Sequence, residues 1–85
     1  MEDIKEKTAD EMFEELGYRK TKENQVEIIY LKSEEHLGEK FNFEIIIAKI
    51  SKLIFSKEKF TNRTTGFNLE VLQAINKKCK ELKWI

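Results

Sequence analysis

Apolar positions near the start of the chain recur at the spacing of an α-helix. When successive residues of 8–16 are placed about 100° apart, the apolar ones share one arc. They are Ala9, Met12, Phe13 and Leu16. Thr8 and Glu11 have the spacing of a capping box, in which each side chain bonds the other residue's backbone N–H. Gly17 supplies the left-handed residue that ends many helices, which would rest Tyr18 on Phe13. The pattern predicts a helix within residues 8–16.

The middle of the chain alternates in the way that β-strands do. Four segments have this pattern: 18–22, 26–32, 41–47 and 52–60. The second is apolar on both sides, because Ile28 and Tyr30 alternate with Ile29 and Leu31. The stretches between these segments are expected to be turns or loops, and residues 33–40 are expected to form a polar loop.

The end of the chain predicts a second helix that begins near the capping residue Asn68. Its expected core seam is Leu72, Ile75, Cys79 and Leu82, with Val71 alongside. The element order is therefore helix, three or four antiparallel strands, helix. We expect a single α+β domain over residues 1–85, with both helices on one face of the sheet.

Composition narrows the classes of protein that fit. The chain has 85 residues, a net charge of zero and one cysteine, so it cannot form an internal disulfide. No apolar run approaches the ~18 residues of a membrane span. The acidic start does not resemble a signal peptide, so we expect a cytoplasmic protein.

The first predicted helix is unusually acidic. Residues 1–16 hold seven acidic residues against two lysines, a balance of −5. The acidic residues within the helix are Asp10, Glu11, Glu14 and Glu15. The last two oppose the helix dipole. The helix is either an ordinary solvated face or a docking surface for a basic groove on another protein.

A basic cluster follows in the second half of the chain: Lys49, Lys52, Lys57, Lys59 and Arg63. Lysines on strands often protect a sheet edge from unwanted pairing. The alternative is contact with nucleic acid, helped by nearby phenylalanines. The lysines of the last helix ring its polar side among glutamates, which favours a solvated face over a phosphate-binding stripe.

No catalytic constellation is recognisable in the sequence. His36 and Cys79 are too few for a zinc site, which normally needs three or four protein ligands. Neither a phosphate-binding loop nor a nucleophile elbow occurs. We therefore expect a non-enzymatic protein without a metal or cofactor. Trp84 either folds back onto the core or serves as an anchor for a partner or a second copy.

Two stretches carry a resemblance to a known group of proteins. "TADEMFEELGYRK" (8–20) and "NLEVLQAINKKCKELKWI" (68–85), separated by alternating strands, resemble small uncharacterised proteins of phages, prophages and mobile elements of Gram-positive bacteria. The chain departs from that pattern at Lys83, where a glycine often precedes the final tryptophan. The resemblance implies a setting, a phage or prophage accessory gene in a bacterial host cell, rather than an activity.

The expected function is binding of another protein, as a host-modulating or anti-defence module. In this interpretation Asp10, Glu11, Glu14 and Glu15 would occupy a nucleic-acid groove on the target, with Trp84 as a further contact. Two alternatives remain. One is a nucleic-acid-binding accessory protein that uses the basic cluster. The other is a structural homo-oligomer, such as a dimer, built on the last helix and Trp84.

Overall fold

The computed structural model describes residues 7–85 and confirms the predicted order of elements. Its elements are α1 (Ala9–Glu15), β1 (Arg19–Glu23), β2 (Glu27–His36), β3 (Glu39–Ala48), β4 (Leu53–Glu58) and α2 (Leu69–Glu81). Within the described residues the strands form one antiparallel sheet in the order β1-β2-β3-β4. The protein is therefore an α+β domain with a helix at each end of a four-stranded meander.

Local signals at α1 act as the sequence predicts. Thr8 and Glu11 form both hydrogen bonds of the capping box. Gly17 has a φ of +94°, and the Tyr18 N–H donates to the Phe13 carbonyl over 2.9 Å, which closes the helix. The Tyr18 ring meets the Phe13 ring edge-on, with centroids 6.1 Å apart. The helix end and the first strand are therefore fixed by residues close in sequence.

The predicted polar loop at residues 33–40 is wrong. β2 continues to His36 and β3 begins at Glu39, so the two strands are joined by a two-residue turn. Leu37 and Gly38 both have positive φ, +53° and +81°, as a type I′ hairpin turn requires. The side chains here are mostly exposed. Because the hairpin extends past the core, its residues need no apolar alternation, and the pattern resembles that of a loop.

Both helices pack on one face of the sheet. The main core joins Ala9 and Phe13 of α1 to side chains of the strands and of α2: Ile28, Tyr30, Ile45, Ile47, Val71, Ala74 and Ile75. Phe13 stacks on Tyr30, with ring centroids 4.1 Å apart. The sheet face that carries Ile28, Tyr30, Ile45 and Ile47 is the covered face. The other side of the sheet is called the open face below.

The predicted seam of α2 is partly wrong. Leu72 is 46% exposed, whereas Ala74 and Lys78 are buried beside Val71 and Ile75. Cys79 and Leu82 pack against the core as predicted. A helical wheel ranks positions by hydropathy and therefore places a lysine outside. Lys78 nevertheless faces inward, because its ammonium group has carboxylate partners there, and this correction leads directly to the polar cluster described below.

Replacing Lys83 by glycine is expected to stabilise the protein. Lys83 has a φ of +61° at the end of α2, where its N–H bonds the Lys80 carbonyl and the Trp84 N–H bonds the Cys79 carbonyl. Glycine adopts this left-handed conformation without steric cost, so Lys83→Gly should raise the free energy of unfolding by about 0.5–1 kcal/mol. Urea unfolding followed by circular dichroism measures the change. The matched control, Lys80→Gly inside α2, should lower it by about 1 kcal/mol; a Lys83→Gly protein that is also destabilised would contradict the assignment.

Candidate functional site

The four acidic residues of α1 do not form a single free surface. Asp10 points towards the sheet and α2, where it bonds Tyr30, Lys20 and Lys78. Glu11 accepts the Thr8 N–H within the capping box. Glu15 lies 2.6 Å from the Lys7 ammonium group, and Glu14 is exposed. Use of this helix as a docking surface stays a prediction, and Asp10 has an internal role that the prediction did not include.

Asp10 is the centre of a partly buried polar cluster between the two helices and the sheet. Lys20 Nζ lies 2.9 Å and Lys78 Nζ 3.1 Å from its carboxylate oxygens. Burial by itself would raise the pKa of Asp10, but hydrogen bonds from Tyr30, Lys20 and Lys78 outweigh it and lower the pKa to about 2. Burial and the neighbouring Asp10 carboxylate raise the pKa of Tyr30. Glu81, 3.4 Å from Lys78, completes the charge balance. The cluster has the features of a structural ion-pair network that ties α1 to α2.

The basic cluster divides between the two ends of β4. Lys49 and Lys52 lie in the turn before the strand, and Lys49 Nζ is 3.9 Å from the Glu23 carboxylate. Lys57, Lys59 and Arg63 lie at the far end of β4 and in the loop after it. A six-residue strand separates the two groups by about 17–20 Å. The five cations therefore do not form one continuous phosphate-binding track.

β4 is an edge strand, as the edge-protection interpretation requires. Part of its free edge is covered by the following loop. The Glu58 N–H donates to the Arg63 carbonyl over 2.8 Å, and the Thr65 N–H donates to the Ser56 carbonyl over 3.0 Å. This short extension satisfies backbone groups that would otherwise be available to another strand.

Trp84 is half-buried and packs against the main core, while Ile85 is exposed. The arrangement matches the first of the two predicted roles of Trp84, folding back onto the core.

His36 and Cys79 lie in different parts of the fold. His36 is at the tip of the β2–β3 hairpin, 2.8 Å from Glu34, whereas Cys79 packs against the core on α2. Burial raises the pKa of the Cys79 thiol, which disfavours the nucleophilic thiolate. Residues 7–85 contain no group of three or more His, Cys, Asp or Glu side chains that could hold a metal ion.

The open face carries an apolar patch that neither helix of residues 7–85 covers. One row of cross-strand neighbours, called the central row, runs across all four strands: Lys22, Ile29, Ile46 and Phe55. The row beside it towards the β2–β3 hairpin tip contains Leu31 between Arg19 and Glu44, followed by Lys57. The row on the other side contains Glu27, Ala48 and Leu53. The apolar members form the open-face patch: Ile29, Leu31, Ile46, Ala48, Leu53 and Phe55.

Exposure within this patch is uneven. Leu53 is 60% and Phe55 43% exposed, whereas Leu31 and Ile46 are only 9% and 8% exposed. Leu31 and Ile46 do not belong to the main core cluster on the other face. The patch is therefore nearly buried at Ile46 and most exposed along β4.

Charged groups of both signs surround the open-face patch. Lys22 and Glu27 pair over 2.8 Å at one side. Arg19 and Glu44 make no ion pair with any other residue in the range 7–85. An apolar centre with a polar rim of mixed charge is the usual anatomy of a protein–protein interface.

Sequence reasoning did not identify the open face as a candidate site. The signal was present, since Ile29 and Leu31 alternate with Ile28 and Tyr30, which makes β2 apolar on both faces. Two helices can cover only one side of a sheet, and this leaves the second set of apolar residues without a cover. The sequence alone does not show which residues of neighbouring strands lie side by side. The strand register was needed to place Ile46 and Phe55 in one row with Ile29.

A cavity of about 570 Å³ lies between the β2–β3 hairpin and the loop after β4. The Phe41 and Phe43 rings line it in parallel, with centroids 6.2 Å apart. The buried Glu58 carboxylate forms part of its wall and accepts the backbone N–H groups of Asn42 and Thr61 over 3.0 and 2.9 Å, and these bonds lower its pKa. Glu58 therefore acts as an anchor that fixes the loop to β3.

The comparisons with known proteins do not assign the chain to a family. No protein-family model matches the chain, and neither does any curated protein or solved structure with which it was compared. The resemblance to phage and prophage proteins stays a prediction. Within residues 7–85, no helix combines the length and the apolar character needed to cross a membrane.

Proposed function

We propose that this protein is a non-enzymatic module that binds another protein through the open face of its sheet. The observation that carries the proposal is the open-face patch, whose apolar side chains adjoin across three strands in register. Large exposed apolar patches that are rimmed by polar residues usually mark sites of interaction with another molecule. In the phage-like setting that the resemblance implies, the bound protein would be a host or defence protein.

The charges around the patch favour a protein over a nucleic acid as the partner. Nucleic-acid surfaces present phosphates at regular spacing and select proteins with continuous positive charge. The open face instead alternates signs, because Glu27 and Glu44 lie among Arg19, Lys22 and Lys57. A flat protein surface with an apolar centre and charges of both signs complements this pattern.

Replacing Phe55 by glutamate is expected to abolish capture of the partner. Phe55 is a large aromatic ring that is 43% exposed and lies beside Ile46, and aromatic side chains are enriched in the buried centres of protein interfaces. Loss of such a residue costs about 2 kcal/mol or more, which is at least a ~30-fold loss of affinity. The measurement is affinity capture from a bacterial lysate with the immobilised protein, followed by mass spectrometry and titration of the captured protein.

Two variants control this experiment. Phe60→Glu places the same charge on another phenylalanine that is 74% exposed but lies outside the patch, and it should capture normally. Glu14→Lys together with Glu15→Lys tests the acidic helix and should also leave capture unchanged. Equal capture by Phe55→Glu, or loss of capture only in the α1 variant, would refute the open face as the binding surface. Circular dichroism of each variant establishes that it is folded.

A further inference from the structure

We propose that the cavity between the β2–β3 hairpin and the loop after β4 binds a small aromatic carboxylate. This inference does not rest on the proposed function, because the cavity and the open-face patch lie on opposite sides of the sheet. Phe43 of β3 pairs with Glu58 of β4, and both side chains line the cavity. They share the covered face with Ile45, which follows Phe43 by two residues. Neither Phe41 nor Phe43 belongs to the main core, so this end of the covered face is left for a ligand.

The cavity has the size and the fixed walls of a small-molecule site. Its volume of about 570 Å³ lies within the ~300–1,000 Å³ of pockets that hold small ligands. The loop after β4 forms one wall and is held to the strand at two residues. The Thr65 N–H donates to the Ser56 carbonyl over 3.0 Å, and the Ser56 hydroxyl donates to the Thr65 carbonyl over 2.6 Å. Because these bonds hold the wall in place, binding of a ligand does not have to order the loop.

The aromatic side chains of the cavity favour a flat ring as the body of the ligand. The Phe41 and Phe43 rings are nearly parallel, with 14° between their planes and 6.2 Å between their centroids. The His36 ring lies 6.0 Å from the Phe41 ring and also lines the cavity. Both phenylalanines are only half-buried, so a ligand can reach their rings. Aromatic rings attract one another in offset and edge-on arrangements beyond the effect of burial, which favours an aromatic ligand over a saturated one of the same size.

The charges of the cavity favour an anionic group on that ring. Of the described residues that line the cavity, three can carry a charge: His36, Glu58 and Arg63. The Glu58 carboxylate already accepts three backbone N–H groups, and the His36 ring bonds a neighbouring glutamate over 2.8 Å. Arg63 makes no ion pair within residues 7–85. A carboxylate on the ligand supplies the missing partner, because the guanidinium group binds a carboxylate through two parallel hydrogen bonds.

The same charges favour a carboxylate over a phosphate. The backbone hydrogen bonds to Glu58 lower its pKa, so this side chain is ionised at neutral pH. A ligand therefore meets one unpaired cation, Arg63, and one anion that is already part of the wall. A singly charged carboxylate is balanced by Arg63, whereas a doubly charged phosphate would place excess negative charge near Glu58.

Titration of naphthoate, a flat two-ring carboxylate, into the isotope-labelled full chain tests the proposal. Backbone amide signals in nuclear magnetic resonance spectra should shift saturably at Phe41, Phe43 and Arg63. Naphthamide has the same shape without the charge and should bind about tenfold more weakly, because it cannot form an ion pair with Arg63. Decahydronaphthoate keeps the charge but has saturated rings, and it should bind about 2–10-fold more weakly than naphthoate.

Two arginine variants provide a matched pair for the same titration. Arg63→Gln should weaken the binding of naphthoate about tenfold and leave the binding of naphthamide unchanged. Arg19→Gln removes the other arginine of the chain, which lies on the open face, and should bind naphthoate like the wild type. Phe55→Glu should also bind naphthoate normally, which separates this site from the open-face patch. Circular dichroism of each variant establishes that it is folded.

Four results would overturn the proposal. The first is the absence of saturable shifts in the wild type up to about 10 mM naphthoate. The second is shifts that are confined to the open face. The third is equal affinity for naphthoate and naphthamide, or an unchanged affinity for naphthoate in Arg63→Gln, since either would remove the role of the anion. The fourth is tighter binding of naphthyl phosphate than of naphthoate, which would overturn the choice of a carboxylate.

Discussion

Replacing Phe13 by alanine is expected to remove a large part of the free energy of unfolding. The Phe13 side chain is fully buried, stacks on Tyr30 and meets Tyr18 edge-on, so it joins α1 both to β2 and to the segment leading into β1. Phenylalanine-to-alanine changes in protein cores cost about 3–5 kcal/mol, because they combine lost burial with a cavity. A domain of this length has only about 4–13 kcal/mol in total.

Urea unfolding, followed by far-ultraviolet circular dichroism, measures the effect on Phe13→Ala. The midpoint should move to much lower urea, or the variant should be largely unfolded without denaturant. Phe60→Ala removes an equally large ring from an exposed position, where such changes usually stay within about 0.5 kcal/mol. A loss below ~1 kcal/mol in Phe13→Ala would mean that α1 does not pack on the sheet as described.

Replacing Asp10 by asparagine is expected to have the second-largest effect, about 2 kcal/mol at neutral pH. The change removes the charge that Lys78 faces across 3.1 Å, and the Lys78 side chain is only 9% exposed. Glu81 would then be the remaining carboxylate near a largely buried ammonium group. Removal of one member of a buried ion pair leaves the other charge without compensation, which is costly in a medium of low polarity.

The pH dependence of stability gives a second readout of Asp10. Its pKa in the folded protein is lowered from 3.8 to about 2, so the folded state holds the ionised form more strongly than the unfolded state does. The resulting stability is fully present above the unfolded value and is lost as the pH falls from about 4 to about 2. Because the side chain is 36% exposed, solvent screening reduces the contribution to about 1–1.5 kcal/mol.

The difference between wild type and variant isolates this contribution from those of other carboxylates. The wild type should have a larger free energy of unfolding than Asp10→Asn at neutral pH, and this difference should shrink as the pH falls through this window. Glu14→Gln, a change in the exposed part of the same helix, should follow the wild type at every pH. If the difference in free energy of unfolding stayed constant down to about pH 2, Asp10 would not be ionised in the cluster.

The parts of the fold that the sequence predicts are those decided by neighbours along the chain. The capping box of Thr8 and Glu11, the glycine at 17 and the cap at Asn68 act within one helical turn, so their spacing is sufficient evidence. The β2–β3 hairpin is different. Its tip lies beyond the core, and only pairing across the strands shows that Glu35 faces Lys40 rather than lying in a loop.

The parts that the sequence did not predict depend on which distant groups meet. Lys78 looks like a surface lysine until Asp10, 68 positions earlier, is found beside it. The same carboxylate looks like part of an exposed acidic helix until Tyr30 and Lys20 are placed around it. The open-face patch likewise results from the strand register. Polar pairing and register are long-range properties, and a one-dimensional pattern of hydropathy does not contain them.

Methyl-detected nuclear magnetic resonance of the isoleucine- and leucine-labelled protein tests the central claim most directly. Spectra are recorded as the captured partner protein is added to the labelled protein up to a several-fold excess. We expect signals on the open face to shift: Ile29, Leu31, Ile46 and Leu53. Signals on the covered face should stay in place: Ile28, Ile45 and Ile47. Shifts confined to Leu69 and Leu72 on α2, with the open-face methyl groups unchanged, would contradict the account.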